Sequence, residues 1–197
     1  MLIANIFGVF VFLYIYWKRL KEDYSSERIF NSALVLLLGA LTGILITNYF
    51  FKDYWFWITI LTISLSQTFV VLKLKLKFFE CLDALIVSLL PWLSLFFLSK
   101  SILTSSLSSF LVFWVSLTSI FLFFLLDNFY RAFSWYKSGR VGFSGLATLG
   151  IFFIVRLISS MFFSNIVSFA PKFENVFSGT IAFLSFLLLF NLSRQDG

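Results

Sequence analysis

The 197-residue sequence contains no histidine, a single cysteine and two prolines, and only 12 % of it is charged. Each scarcity excludes something. Without histidine there is no imidazole base, no histidine-ligated haem and no histidine-containing zinc site. One cysteine, Cys81, rules out an intrachain disulfide. Flanked by Phe79, Glu80 and Leu82, it reads as a packed or idle thiol rather than a nucleophile. No GxxxxGK[ST] phosphate loop occurs, and nothing in the sequence calls for a cofactor.

What is abundant is apolar surface. Hydrophobic residues make up 60 % of the chain and phenylalanine alone occurs 30 times; the mean hydropathy is +0.99. A soluble domain is roughly half apolar and about a quarter charged, and in water this chain would expose aggregating patches. Lipid is its solvent. A helix needs ~20 apolar residues to cross the hydrocarbon core. Seven runs qualify, at about 2–17, 29–51, 54–72, 82–99, 107–127, 143–163 and 175–192. They are continuously apolar, so they predict helices and not the short alternating strands of a barrel. The linkers are too short to fold as soluble domains. The expectation is all-α: one transmembrane domain over 1–197, a bundle of seven helices.

Orientation follows from basic residues. The first run carries no charge and is followed by KRLK, the reverse of a signal peptide, which predicts a retained helix. Eleven basic residues fall in the linkers 18–28, 73–81 and 128–142 and the C-terminal tail; only Lys52, Lys100 and Lys172 fall in the alternate linkers. That asymmetry predicts the N-terminus outside and the C-terminus in the cytoplasm. It also accounts for the net charge of +6 as a topology and anionic-lipid signal. Charges confined to short juxtamembrane loops make nucleic acid a poor partner.

A few polar features lie within the spans. Gly39 and Gly43 have the spacing that lets two helices approach closely. Asp83 opens the fourth span, where it can pair with Lys77 or cap the helix N-terminus. Pro91 is expected to kink that helix. Serines and threonines are expected to bond locally. Arg156 stands apart. Counted from the inner end of the sixth helix it lies roughly 20 Å up, in the outer half of the membrane. Holding Arg in a helix centre costs about 2.5–3.5 kcal/mol on insertion scales. Two readings stay open: the side chain snorkels to the outer headgroups, or its planar fork grips a phosphate or carboxylate between helices. The second makes Arg156 an anchor for an anionic lipid headgroup.

The chain also resembles the bacterial prolipoprotein diacylglyceryl transferases, in pattern and over nearly its whole length. NIFGVFVFLYIYWKRLKED is similar to the family's first helix, with Phe7-Gly8 where a Tyr-Gly pair is usual. LLLGALTGILITNYFF is similar to its Gly-Ala-x-x-Gly-Ala-Arg helix and keeps Gly39, Ala40 and Gly43, with Leu45 at the Arg. LKFFECLDALIVSLLPWL resembles the approach to the family signature, with Asp83 at the Asp, and Arg156 falls on an essential Arg. The resemblance implies a seven-helix bundle of the bacterial inner membrane that handles phosphatidylglycerol. It departs from the family where the chemistry resides. The His-Gly-Gly segment is missing, LSLFFLSKSILTSSL replaces Gly-Arg-x-Gly-Asn-Phe, and Ser160 and Phe163 stand where Glu and a second Arg are usual. The implied protein is a non-catalytic relative that binds an anionic phospholipid, with Asp83, Ser160, Gly39 and Gly43 as possible supporting residues. Two alternatives remain. An altered transferase requires Asp83, Ser160, Asn165 or Lys100 to converge on Arg156. A structural subunit of a larger membrane complex requires a filled bundle, with Arg156 paired to a partner protein's acid.

Overall fold

A computed structural model describes residues 2–130, 142–163, 166, 169–170 and 173–194. Among these there is no strand, and seven helices are long and apolar enough to cross a membrane. They are α1 (Leu2–Leu20), α2 (Ser26–Phe50), α3 (Trp55–Leu74), α4 (Phe78–Thr104), α5 (Leu107–Phe129), α6 (Phe143–Phe162) and α7 (Glu174–Arg194). A 3-10 turn, Lys52–Tyr54, links α2 to α3. Each expected span corresponds to one helix. The largest departure is α4, which begins four residues before the expected 82 and ends five after 99. Phe78, Phe79 and Glu80 before it, and Ser101, Ile102 and Leu103 after it, continue the helix beyond the apolar run. Lys137, Arg131, Arg140, Lys172 and Asn165 fall outside the described residues.

Helix α4 is the most enclosed, with 56 % of its membrane-length window buried against 22–44 % for the others. Among its buried positions, Cys81, Ala84, Val87, Ser88 and Ser94 are small or β-branched, and α1, α5 and α6 pack against it. Towards α1, Tyr16 bridges Cys81 Sγ (3.3 Å) and receives a hydrogen bond from Ser32 on α2 (3.2 Å). One apolar core joins α1, α2, α3 and α4 around Phe12, Ile29, Leu36 and Val70. A second joins α5, α6 and α7 through Leu126, Leu146 and Leu189. Between them Phe56, Ile86, Phe152 and Ala182 tie α3, α4, α6 and α7 together.

Gly39 and Gly43 serve the close approach their spacing predicts. A Cβ on either would collide with α3, on Gly39 with the Ser66 side chain and on Gly43 with the Thr59 backbone, 2.8 Å from its Cα. Pro91 lies inside α4, which continues through it, while Trp92 packs on Gly8 of α1 and donates to Asn5 Oδ1 at 3.3 Å. The buried hydroxyls of Ser88, Ser116, Ser119 and Ser185 donate to carbonyls three or four residues back in their own helices. At this depth water offers no alternative partner.

Candidate functional site

Arg156 sits on the buried face of α6 with 5 % of its surface exposed. Its helix brings it opposite the first residue of α7, Glu174, which is equally buried. The Arg156 Nε lies 2.9 Å from Glu174 Oε1, and Nη2 donates to Oε2 at 3.2 Å. The guanidinium carbon lies 3.7 Å from the centre of the Phe56 ring, 4.8 Å from that of Phe169 and 5.5 Å from that of Trp57. This is a cation between aromatic faces. Glu174 is held from further sides. Trp57 Nε1 donates to Oε2 at 2.8 Å, the Ala170 backbone N–H to Oε2 at 3.2 Å, and Ser178 Oγ to Oε1 at 2.7 Å. Donors from α3, α6, α7 and the segment before α7 therefore converge on one carboxylate.

Asp83 belongs to a different cluster, which gathers at the N-terminal end of α6. Between residues 145 and 156 the α6 axis rises about 17 Å. Arg19, in the last turn of α1, donates from Nε (2.9 Å) and Nη2 (2.5 Å) to Asp83 Oδ2. It also donates from Nη2 (2.8 Å) and Nη1 (3.2 Å) to the two oxygens of Asp127 on α5. Asp83 Oδ1 accepts from Ser144 Oγ (3.1 Å) and from the Gly145 backbone N–H (2.7 Å). The expected Asp83–Lys77 pair is not what forms. Lys77 Nζ reaches Glu80 Oε1 at 3.0 Å, because Glu80 is three residues along the helix and shares its face, whereas Asp83 is six along and points into the bundle. The capping role is real but falls on another helix. Because α4 starts at Phe78, Asp83 lies in its second turn and caps α6 instead.

The other candidate residues are dispersed. Ser160 lies one turn beyond Arg156 on α6, yet its hydroxyl bonds the Leu157 carbonyl and Asn175 Oδ1. Gly39 and Gly43 are spent on the α2–α3 contact. Lys100 lies near the C-terminal end of α4. Of the residues an altered transferase would bring to Arg156, Asp83 is held in the other cluster, and Asn165 lies outside the described residues. Nor do three acidic or cysteine side chains group as metal ligands among the described residues.

Three side chains of the two charged clusters escaped sequence reasoning. Glu174 was legible only as an acid at the start of an apolar run. Asp127 carried a plainer signal, a carboxylate inside FLFFLLDNF. Arg19 looked like one more positive charge among KRLK. No family model matches the chain, and neither a curated protein nor a solved structure matches it.

Proposed function

We propose that the protein is a non-catalytic relative of the prolipoprotein diacylglyceryl transferases. It binds an anionic phospholipid, phosphatidylglycerol or a chemically similar lipid, at the end of the bundle where α6 meets α7. The membrane is the bacterial inner membrane, with this end in the outer leaflet. One observation carries the reading: a guanidinium 5 % exposed, fourteen residues into a membrane-length helix, lies among donors that all face one oxyanion position. Intramembrane charges of this kind mark ligand or ion sites far more often than idle positions. The buried thiol Cys81 lies on α4, against Tyr16 of α1, and takes no part in the Arg156 cluster.

A second reading has its own support. Glu174 pairs with the guanidinium from within the chain, in place of the acid expected from a partner protein, so the ion pair can serve the packing of the bundle alone. Lipid analysis of gently extracted protein separates the two. Wild type should carry phosphatidylglycerol in excess of zwitterionic lipid. The charge-free pair Arg156→Gln/Glu174→Gln, which leaves no buried ion unpaired, should lose that excess. Equal lipid profiles, with a second protein co-purifying, would leave the structural reading in its place.

A further inference from the structure

We infer that Glu174 is the resident occupant of an oxyanion site, and that an anionic headgroup competes with its carboxylate for the same donors. The inference rests on the phospholipid reading above and specifies how that site is closed and what lines it.

The donor set is the reason. Arg156, the Trp57 indole N–H, the Ser178 hydroxyl and the Ala170 backbone N–H all lie within 2.7–3.2 Å of the Glu174 oxygens. Cationic fork, indole, hydroxyl and main-chain amide all donate hydrogen bonds that phosphodiester oxygens accept. A carboxylate is the nearest side-chain equivalent of that group. Exchanging one oxyanion for the other leaves Arg156 paired throughout, and the penalty of an unpaired buried charge is avoided when the displaced Glu174 carboxylate turns outward to water. Three of the donors, Arg156, Trp57 and Ala170, do not belong to α7, and would stay in place if the Glu174 side chain turned away.

Access is built from the same residues. Trp57 packs on Phe177 with ring centres 5.1 Å apart, and Phe177 on Phe173 at 6.0 Å. Phe173 is 49 % exposed, and Phe162 at the end of α6 is 77 % exposed. A run of packed aromatic rings thus connects the site to the exposed apolar surface that an acyl chain would lie against. The shared chemistry is a phosphate-type oxyanion, whether it arrives on a lipid or free in solution.

The test uses the full chain in nanodiscs of phosphatidylcholine, with or without phosphatidylglycerol, and separately with glycerol phosphate added to the buffer. Glu174→Gln should raise phosphatidylglycerol retention several-fold over wild type and make the unfolding temperature depend on that lipid. Adding Trp57→Phe, which keeps a ring but removes the N–H, should reverse part of the gain. Retention that is equal in wild type and Glu174→Gln, yet lost in the charge-free pair, overturns the occupant inference and leaves the phospholipid reading standing. If no variant shows any dependence on Arg156, both fall. A gain with glycerol phosphate equal to that with the lipid supports the exchange but places the ligand in solution. Should Glu174→Gln fail to fold, Glu174→Asp keeps the charge on a shorter arm. It should also retain more phosphatidylglycerol than wild type, and equal retention counts against the inference.

Discussion

The Oδ1 atom of Asp83 on α4 accepts a hydrogen bond from the backbone N–H of Gly145 at 2.7 Å, so one helix supplies the N-terminal cap of another. Gly142, at φ 87°, turns the chain into α6, and Gly145 is the third residue of the helix, whose N–H has no intrahelical acceptor. A Cβ on Gly145 would lie 2.7 Å from that same carboxylate oxygen. The bond exists because position 145 has no side chain.

Asp83→Asn keeps an oxygen for the cap but removes the charge that faces Arg19. With Asp127 still present, the expected loss is about 3 kcal/mol, at the low end for breaking a buried pair. Unfolding in a graded detergent series would measure it. Asp83→Leu, which also abandons the Gly145 N–H, should cost more.

At the α2–α3 contact, Gly43→Ala should destabilise more than Gly39→Ala. The new Cβ at 43 meets the Thr59 Cα at 2.8 Å, which only a backbone shift can relieve, whereas at 39 the atoms under 3.0 Å belong to the Ser66 side chain. Overpacking of this kind costs typically 1–3 kcal/mol. Thermal unfolding of the two single variants in one detergent would rank them.

Tyr24, in the turn between α1 and α2, donates to Glu80 Oε2 at 2.5 Å and accepts from the Lys77 N–H at 3.0 Å. Burial, reinforced by that bond to Glu80, raises its pKa above the ordinary 10.0. A raised value means the neutral phenol is favoured in the folded state. Its contribution is therefore complete below pH 10 and is lost as pH climbs through the folded value. Tyr24→Phe should cost about 1 kcal/mol at neutral pH, and the difference from wild type should vanish in strongly alkaline buffer.

The orientation that the basic loops predict can be checked by labelling. Cys81 is fully buried, so wild type should not react with a membrane-impermeant maleimide. Asp53→Cys, in the α2–α3 linker, should label in intact cells. Glu22→Cys, in the α1–α2 linker, should label only after permeabilisation. The opposite pattern would invert the topology.

How much of this was legible beforehand differs between backbone and site. A helix in lipid must satisfy its own backbone, so seven apolar runs translate directly into seven helices. Their ends were less legible, because residues such as Phe78, Phe79 and Glu80 extend α4 beyond the hydrocarbon-length window. Arg156 was visible as a charge out of place. Its partner was not, since Glu174 lies 18 residues away on another helix and no periodicity links the two. Arg19 was hidden for the opposite reason: it fits the pattern of a topology charge so well that nothing suggested it turns inward. Asp83 was found, but its pairing depended on where α4 begins.

The two charged clusters lie towards opposite ends of α6, Ser144 and Gly145 held by Asp83, and Arg156 held by Glu174. A one-turn slide of that helix, about 5.4 Å, would break both attachments together. Helix α6 is thus a strut pinned near both ends, and a piston stroke of one turn would cost it both pins. A swing of the Glu174 side chain, by contrast, leaves the rod where it stands.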